Sequence, residues 1–148
     1  MSLMTRKEFV AKCASCVGLG SFAMLASGCA GTKYFNAPIE GSDLVVALSA
    51  FTQEKDAQTT MRKFVVVHND QLEYPIALFR FGENEYTALL MRCTHQGTEL
   101  QIFGDRLQCP AHGSEFTNRG NIQNGPADTN LRSFPVKLEE QQVRISLS

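Results

Sequence analysis

Tryptophan is absent from the 148 residues, histidine occurs only three times, and neither sign of charge prevails, with 14 Lys and Arg against 15 Asp and Glu. A formal net charge of -1 leaves no electrostatic footprint for nucleic acid, which calls for a basic stripe or a clearly basic domain. Beyond the first thirty or so residues there is no sustained helical periodicity and no internal repeat, which argues against a helix bundle or a solenoid. Cysteine is scarce and odd in number. Five are present, so in an exported protein at least one stands outside any internal disulfide. What remains is ordinary: 43% hydrophobic and 20% charged residues, enough for one globular domain with a real core plus one appendage.

The cysteines fall into two groups. Cys13, Cys16 and Cys29 lie near the start, in a segment with a basic beginning at Arg6 and Lys7 and an uncharged stretch from Cys13 to Thr32. A basic start, an apolar middle and small residues at the end are the layout of an export signal, expected over residues 1–28. Thr5-Arg6-Lys7-Glu8-Phe9 resembles the twin-arginine export motif, with Lys7 in place of the second arginine, and the general secretory route stays open. Leu25-Ala26-Ser27-Gly28-Cys29 resembles a bacterial lipobox, whose cysteine is diacylated and becomes the new amino terminus. These resemblances imply lipidation at Cys29 and a bacterial protein held by lipid on the outer, periplasmic side of a membrane. An uncleaved N-terminal anchor and a cleaved signal without lipid are the alternatives, although a helix from Cys13 to Gly28 would span about 24 Å of a hydrocarbon core roughly 30 Å thick. Residues 29–41, with Pro38 and Gly41, read as a linker that holds a domain off that surface.

From 42 to 148 the pattern is β. Leu44 to Leu48, Phe64 to Val67, Ile76 to Phe81 and Tyr86 to Met91 are short runs of Val, Ile, Leu, Phe and Tyr bounded by turn formers. Leu100 to Phe103 and Arg106 to Gln108 flank a tight turn at Gly104-Asp105, and Leu131 to Leu138 and Val143 to Leu147 complete the set. The expected fold class is all-β, a sandwich of small antiparallel sheets.

The second cysteine group carries the chemistry. Cys93-Thr94-His95-Gln96-Gly97 is separated from Cys109-Pro110-Ala111-His112-Gly113-Ser114 by a short stretch, thirteen residues lying between His95 and Cys109. Each loop offers one thiolate and one imidazole within a single turn, so two such loops facing one another enclose a metal unit with four ligands. A Cys2His2 zinc site would use the same donors. His68, at the end of a strand, reads as a surface residue, and Tyr34-Phe35 as linker packing.

These boxes resemble the Rieske iron-sulfur family, whose pattern is C-x-H followed by C-P-x-H-G. The resemblance implies a domain with a cluster-binding part made of two loops, and a [2Fe-2S] cluster with Cys93 and Cys109 on its inner iron and His95 and His112 on its outer iron. Two ferric ions, two sulfides and two thiolates sum to zero charge, so an electron is added more easily than to an all-cysteine cluster. The potential rises toward about -150 to +300 mV, against about -400 mV for plant-type clusters. By the same resemblance Gly97 and Gly113 stand beside the ligands in the two boxes, and Ser114 matches a serine that donates to a bridging sulfide. Phe116 stands where quinol-oxidising members carry a tyrosine, which implies an intermediate potential. Gly125-Pro126-Ala127 resembles the proline loop that covers the cluster. Thr98 and Ala111 occupy the positions of a bracing disulfide in those members, so the loops are expected to depend on the cluster and on the proline loop.

The function implied is one-electron transfer to a redox protein partner, a cytochrome or a membrane oxidoreductase. The alternatives are a Rieske subunit of a quinol:cytochrome oxidoreductase, with quinol as a further partner, and a redox or metal sensor. A Rieske oxygenase is not expected, because beyond the two box histidines only His68 is left for a mononuclear iron.

Overall fold

Three consecutive valines, Val65, Val66 and Val67, are each at most 1% exposed. Successive side chains on a strand point to opposite faces, so such a run is buried only when its sheet is covered on both sides. The computed structural model, which describes residues 32–55 and 58–148 together with Lys7, has that sheet at its centre. Residues 32–148 cluster as one compact unit.

The chain enters through β1 (Tyr34–Asn36), β2 (Ile39–Glu40) and β3 (Asp43–Ala47), then makes a 3-10 turn at Leu48–Phe51. A hairpin of β4 (Thr52–Lys55) and β5 (Gln58–Met61) precedes the long strands β6 (Phe64–His68), β7 (Ile76–Arg80) and β8 (Tyr86–Leu90). Four short strands follow: β9 (Gln101–Phe103), β10 (Arg106–Gln108), β11 (Glu115–Thr117) and β12 (Ile122–Asn124). The chain ends in β13 (Ser133–Phe134), β14 (Val136–Glu139) and β15 (Gln142–Ser146).

The central sheet runs β1-β6-β7-β8-β13, antiparallel except for β1 beside β6. On one face, Val65, Val67, Ile76, Leu78 and Ala88 share a core with Leu44, Val46, Val143 and Ile145 of the sheet β14-β15-β3-β2. On the other, Val66, Ala77, Phe79 and Leu89 share a second core with Leu107, Phe116, Cys93 and Cys109, around the sheet β12-β11-β10-β9. The all-β sandwich of small antiparallel sheets read from the sequence is what the chain forms, in three layers.

Two expectations are corrected. The run from Leu131 to Leu138 is not one strand: β13 pairs with β8 in the central sheet, and β14 pairs with β15 in the outer one. Pro135 stands between them, and with no N–H to give a ladder it marks where the chain changes sheets. The second correction concerns the linker of residues 29–41, whose part from Tyr34 to Glu40 is not a free spacer. Tyr34–Asn36 lines the edge of β6, and Ile39–Glu40 pairs with β3. Phe35 packs on the first core, the Ala37 N–H donates to the His68 carbonyl at 3.1 Å, and the Asn69 amide donates to the Ala37 carbonyl at 2.8 Å. The shortness of these strands and the proline between them hide the role of this stretch, which is to cover an open strand edge.

Candidate metal centre

The two boxes are the same turn built twice. Residues 93–98 follow the end of β8 and residues 109–114 follow β10. In each, the cysteine N–H donates to the carbonyl five residues on, Cys93 to Thr98 and Cys109 to Ser114, both at 2.8 Å. In each, the glycine four residues on donates back to the cysteine carbonyl, Gly97 to Cys93 at 2.8 Å and Gly113 to Cys109 at 3.0 Å. Gly97 and Gly113 have φ of +77° and +76°, the left-handed backbone for which glycine carries no penalty. The turns match even though histidine is the second residue after cysteine in one box and the third in the other.

This backbone brings the four donors together as two pairs. The thiols of Cys93 and Cys109 are each 1% exposed, inside the second core and in contact with one another. The rings of His95 and His112 meet edge to face nearer the surface, with centroids 4.9 Å apart. Paired thiols below and paired imidazoles above offer two donors to each of two metal ions. Burial pushes the Cys109 thiol up, but the backbone N–H groups of His112 and Ala111, the Cys93 thiol and the Thr98 hydroxyl together outweigh it and hold the pKa below the ordinary thiol value. Thiolate is the form that binds metal. His95 Nδ1 is buried with no hydrogen-bond partner, a costly state for a polar nitrogen that coordination would relieve. The donor set therefore fits a binuclear iron-sulfur group.

A covering segment ties to both boxes. Thr94 Oγ1 donates to the Thr129 carbonyl at 2.7 Å, and the Ala127 N–H donates to Ser114 Oγ at 3.0 Å. Gly125 and Pro126 are themselves exposed, and Ala127 is the buried residue of the loop. The boxes thus have direct protein bonds to a common segment, beyond what Gly125-Pro126 alone suggested. Since Ser114 Oγ accepts from Ala127, its hydrogen is left to donate elsewhere. Phe116 is fully buried among the cysteines, and Ala111 is exposed while Thr98 is half-buried.

His68 lies at the end of β6 with its side chain 39% exposed, 3.9 Å from the Asp70 carboxylate. Lys7 is exposed; Arg6, the rest of the segment 1–28, and Cys29 lie outside the described residues. Sequence reasoning placed Ala127 in the covering loop but missed Thr94 and Thr129 as the contact that ties the first box to it.

Comparison with known proteins bears on this geometry. The Rieske [2Fe-2S] domain model matches residues 50–135. The cytochrome b6-f complex iron-sulfur subunit of Chlorobaculum tepidum is 33% identical over 64 residues, which are 42% of this chain and 35% of that protein. The oxygenase component of dicamba O-demethylase from Stenotrophomonas maltophilia is 37% identical over 75 residues, 44% of this chain and 22% of that protein. The chain thus spans about a third or less of the length of these two relatives. Among solved structures, the plasma membrane Rieske protein of the cyanobacterium Synechocystis superposes with a TM-score of 0.50 at 20% identity, over 57% of this chain and 86% of that one, a likeness of fold.

Proposed function

Because the chain belongs to the Rieske [2Fe-2S] domain family, whose model covers more than half of it, we propose that it is a one-electron carrier with Cys93 and Cys109 on the inner iron and His95 and His112 on the outer iron. The observation that carries this reading is the pairing of two buried thiols beneath two imidazoles that meet at 4.9 Å. When bound, the [2Fe-2S] cluster supplies one-electron chemistry at a potential well above that of all-cysteine clusters. The protein's own contribution is placement. Burial of both sulfurs keeps water from the inner side, and the histidines leave the outer side open to a partner. His95 Nδ1, buried and without a protein partner, is the ring atom left free to meet a metal.

In this reading the leader, with Arg6 and Lys7 near its start and Cys29 as the lipidation site, holds the domain on the periplasmic side of a bacterial membrane. The electron partner is a cytochrome or a membrane oxidoreductase. A second reading, the Rieske subunit of a quinol:cytochrome oxidoreductase with quinol bound at an exposed histidine, is favoured by the similarity to the cytochrome b6-f complex iron-sulfur subunit. Phe116, Thr98 and Ala111 weigh toward the carrier.

Low-temperature EPR of the reduced protein during a redox titration at several pH values tests the centre. A Rieske centre gives a rhombic reduced signal and a potential that falls with rising pH; a zinc site is silent, and either silence or a low, pH-independent potential rules the reading out. A quinol-site inhibitor that perturbs the signal in native membranes would favour the oxidoreductase subunit over the carrier.

A further inference from the structure

Arg92 and Glu99 flank the first box, one residue before Cys93 and one after Thr98, and face each other there as an antiparallel bridge. Opposite charges at such a cross-strand position ordinarily attract. Here they do not meet, since Arg92 takes part in no ion pair among the described residues. Glu99 is engaged elsewhere, its Oε1 accepting the Tyr34 hydroxyl of β1 at 2.9 Å. Arg92 lies instead over the Tyr74 ring, 5.7 Å from its centroid, and against the box itself. A Cβ on Gly97 would be 3.3 Å from Arg92 Nε and 3.4 Å from Nη2, so the guanidinium fills the space that a side chain would take there. Gly97 in turn donates its N–H to the Cys93 carbonyl at 2.8 Å, closing the turn that carries His95.

We infer that Arg92 tunes the centre, its uncompensated positive charge raising the potential of the metal held by the boxes, and that Tyr34 preserves this charge by holding Glu99 away from it. The inference rests on the reading that the two boxes hold a [2Fe-2S] cluster. Reduction adds one negative charge to the centre, and a nearby cation lowers the energy of the reduced form more than that of the oxidised one. Arg92 and Glu99 are both exposed, so water and salt weaken the effect without changing its sign. A Glu99 carboxylate released from Tyr34 has Arg92 as its facing partner, and their contact would cancel the charge beside the box.

The test is a redox titration, followed by EPR and visible absorption, of the full chain beside Arg92→Lys, Arg92→Gln and Arg92→Glu at low and high salt. The expected order follows side-chain charge. Arg92→Lys should titrate near the parent, Arg92→Gln should show a reduction equilibrium weakened about two- to tenfold, up to ~59 mV for one electron, and Arg92→Glu should fall about as far again. These gaps should narrow in high salt. Tyr34→Phe should lower the potential part of the way to that of Arg92→Gln, and adding Glu99→Gln to it should restore the parental value. The inference is overturned if loaded Arg92→Gln titrates with the parent, if Arg92→Lys falls as far as Arg92→Gln, or if salt leaves the gaps unchanged. Should Arg92→Gln hold no cluster, Tyr34→Phe decides with Arg92 in place, and a potential equal to the parent's overturns the inference. Failure of the underlying reading looks different: the parent itself gives no rhombic reduced signal.

Discussion

Ser114 Oγ accepts the backbone N–H of Ala127 at 3.0 Å, and Ser114 is wholly buried. One hydroxyl therefore fixes the covering segment to the second box. Ser114→Ala leaves the Ala127 N–H without its partner, and an unsatisfied buried donor costs about 1–3 kcal/mol. The expected outcome is a lower urea midpoint by that amount, together with a lower cluster potential because a donor near the sulfurs is lost. A variant with parental stability and potential would show that water replaces the hydroxyl.

Removing the iron should loosen the two boxes and spare the central sheet. The amides of Gly97 and Gly113 close each turn against Cys93 and Cys109, which in the proposed reading lose their metal. Hydrogen exchange of the chelated protein should accelerate at residues 93–98 and 109–114 while the ladder of β6, β7 and β8 stays protected. Equal acceleration in the central sheet would mean that the metal holds the whole fold.

Gly120 is the glycine that packing forbids changing. Its φ is +84°, and a Cβ there would lie 2.8 Å from Leu89 Cδ2 in the central sheet. Gly120→Ala combines left-handed strain with overpacking and should cost about 2–4 kcal/mol. Gly41→Ala, at φ +65° with nothing within 4 Å, meets strain alone and should cost about 1–2 kcal/mol. Thermal unfolding of the two variants gives this order, and a reversed order would refute the packing argument.

Acid should weaken the outer sheet through Glu139. Its carboxyl accepts from Lys137 and from Arg144 Nε at 2.9 Å, while Arg144 also reaches Glu40 at 2.7 Å and Asp43 at 3.6 Å. Lys137, and after it Arg144, hold the Glu139 pKa below the usual carboxylate value despite some desolvation. A depressed folded pKa contributes stability that is present above the unfolded value, about pH 4, and is lost as pH falls through the folded value beneath it. Urea midpoints measured through that window should fall less steeply in Glu139→Gln than in the parent. The difference should shrink in high salt, because these groups face solvent.

The family of this protein, and the cluster that its domain binds, were legible in the sequence. Cys93, His95, Cys109 and His112 announce themselves by type and spacing, since few side chains bind metal and a turn brings neighbours together without help from the rest of the fold. The buried strands were legible too: alternating or continuous runs such as Phe64 to Val67 report burial locally, and Gly104-Asp105 reports its own turn. Tertiary structure alone decided what depends on partners far along the chain. Tyr34–Asn36 is a strand because β6 offers an edge, and Pro135 divides two strands because two sheets lie on either side of it. Thr94 bonds Thr129 across 35 residues, and Ser114 bonds Ala127 across 13. A hydroxyl group has no periodicity and looks alike on a surface or in a core, so only packing reveals which atom it serves.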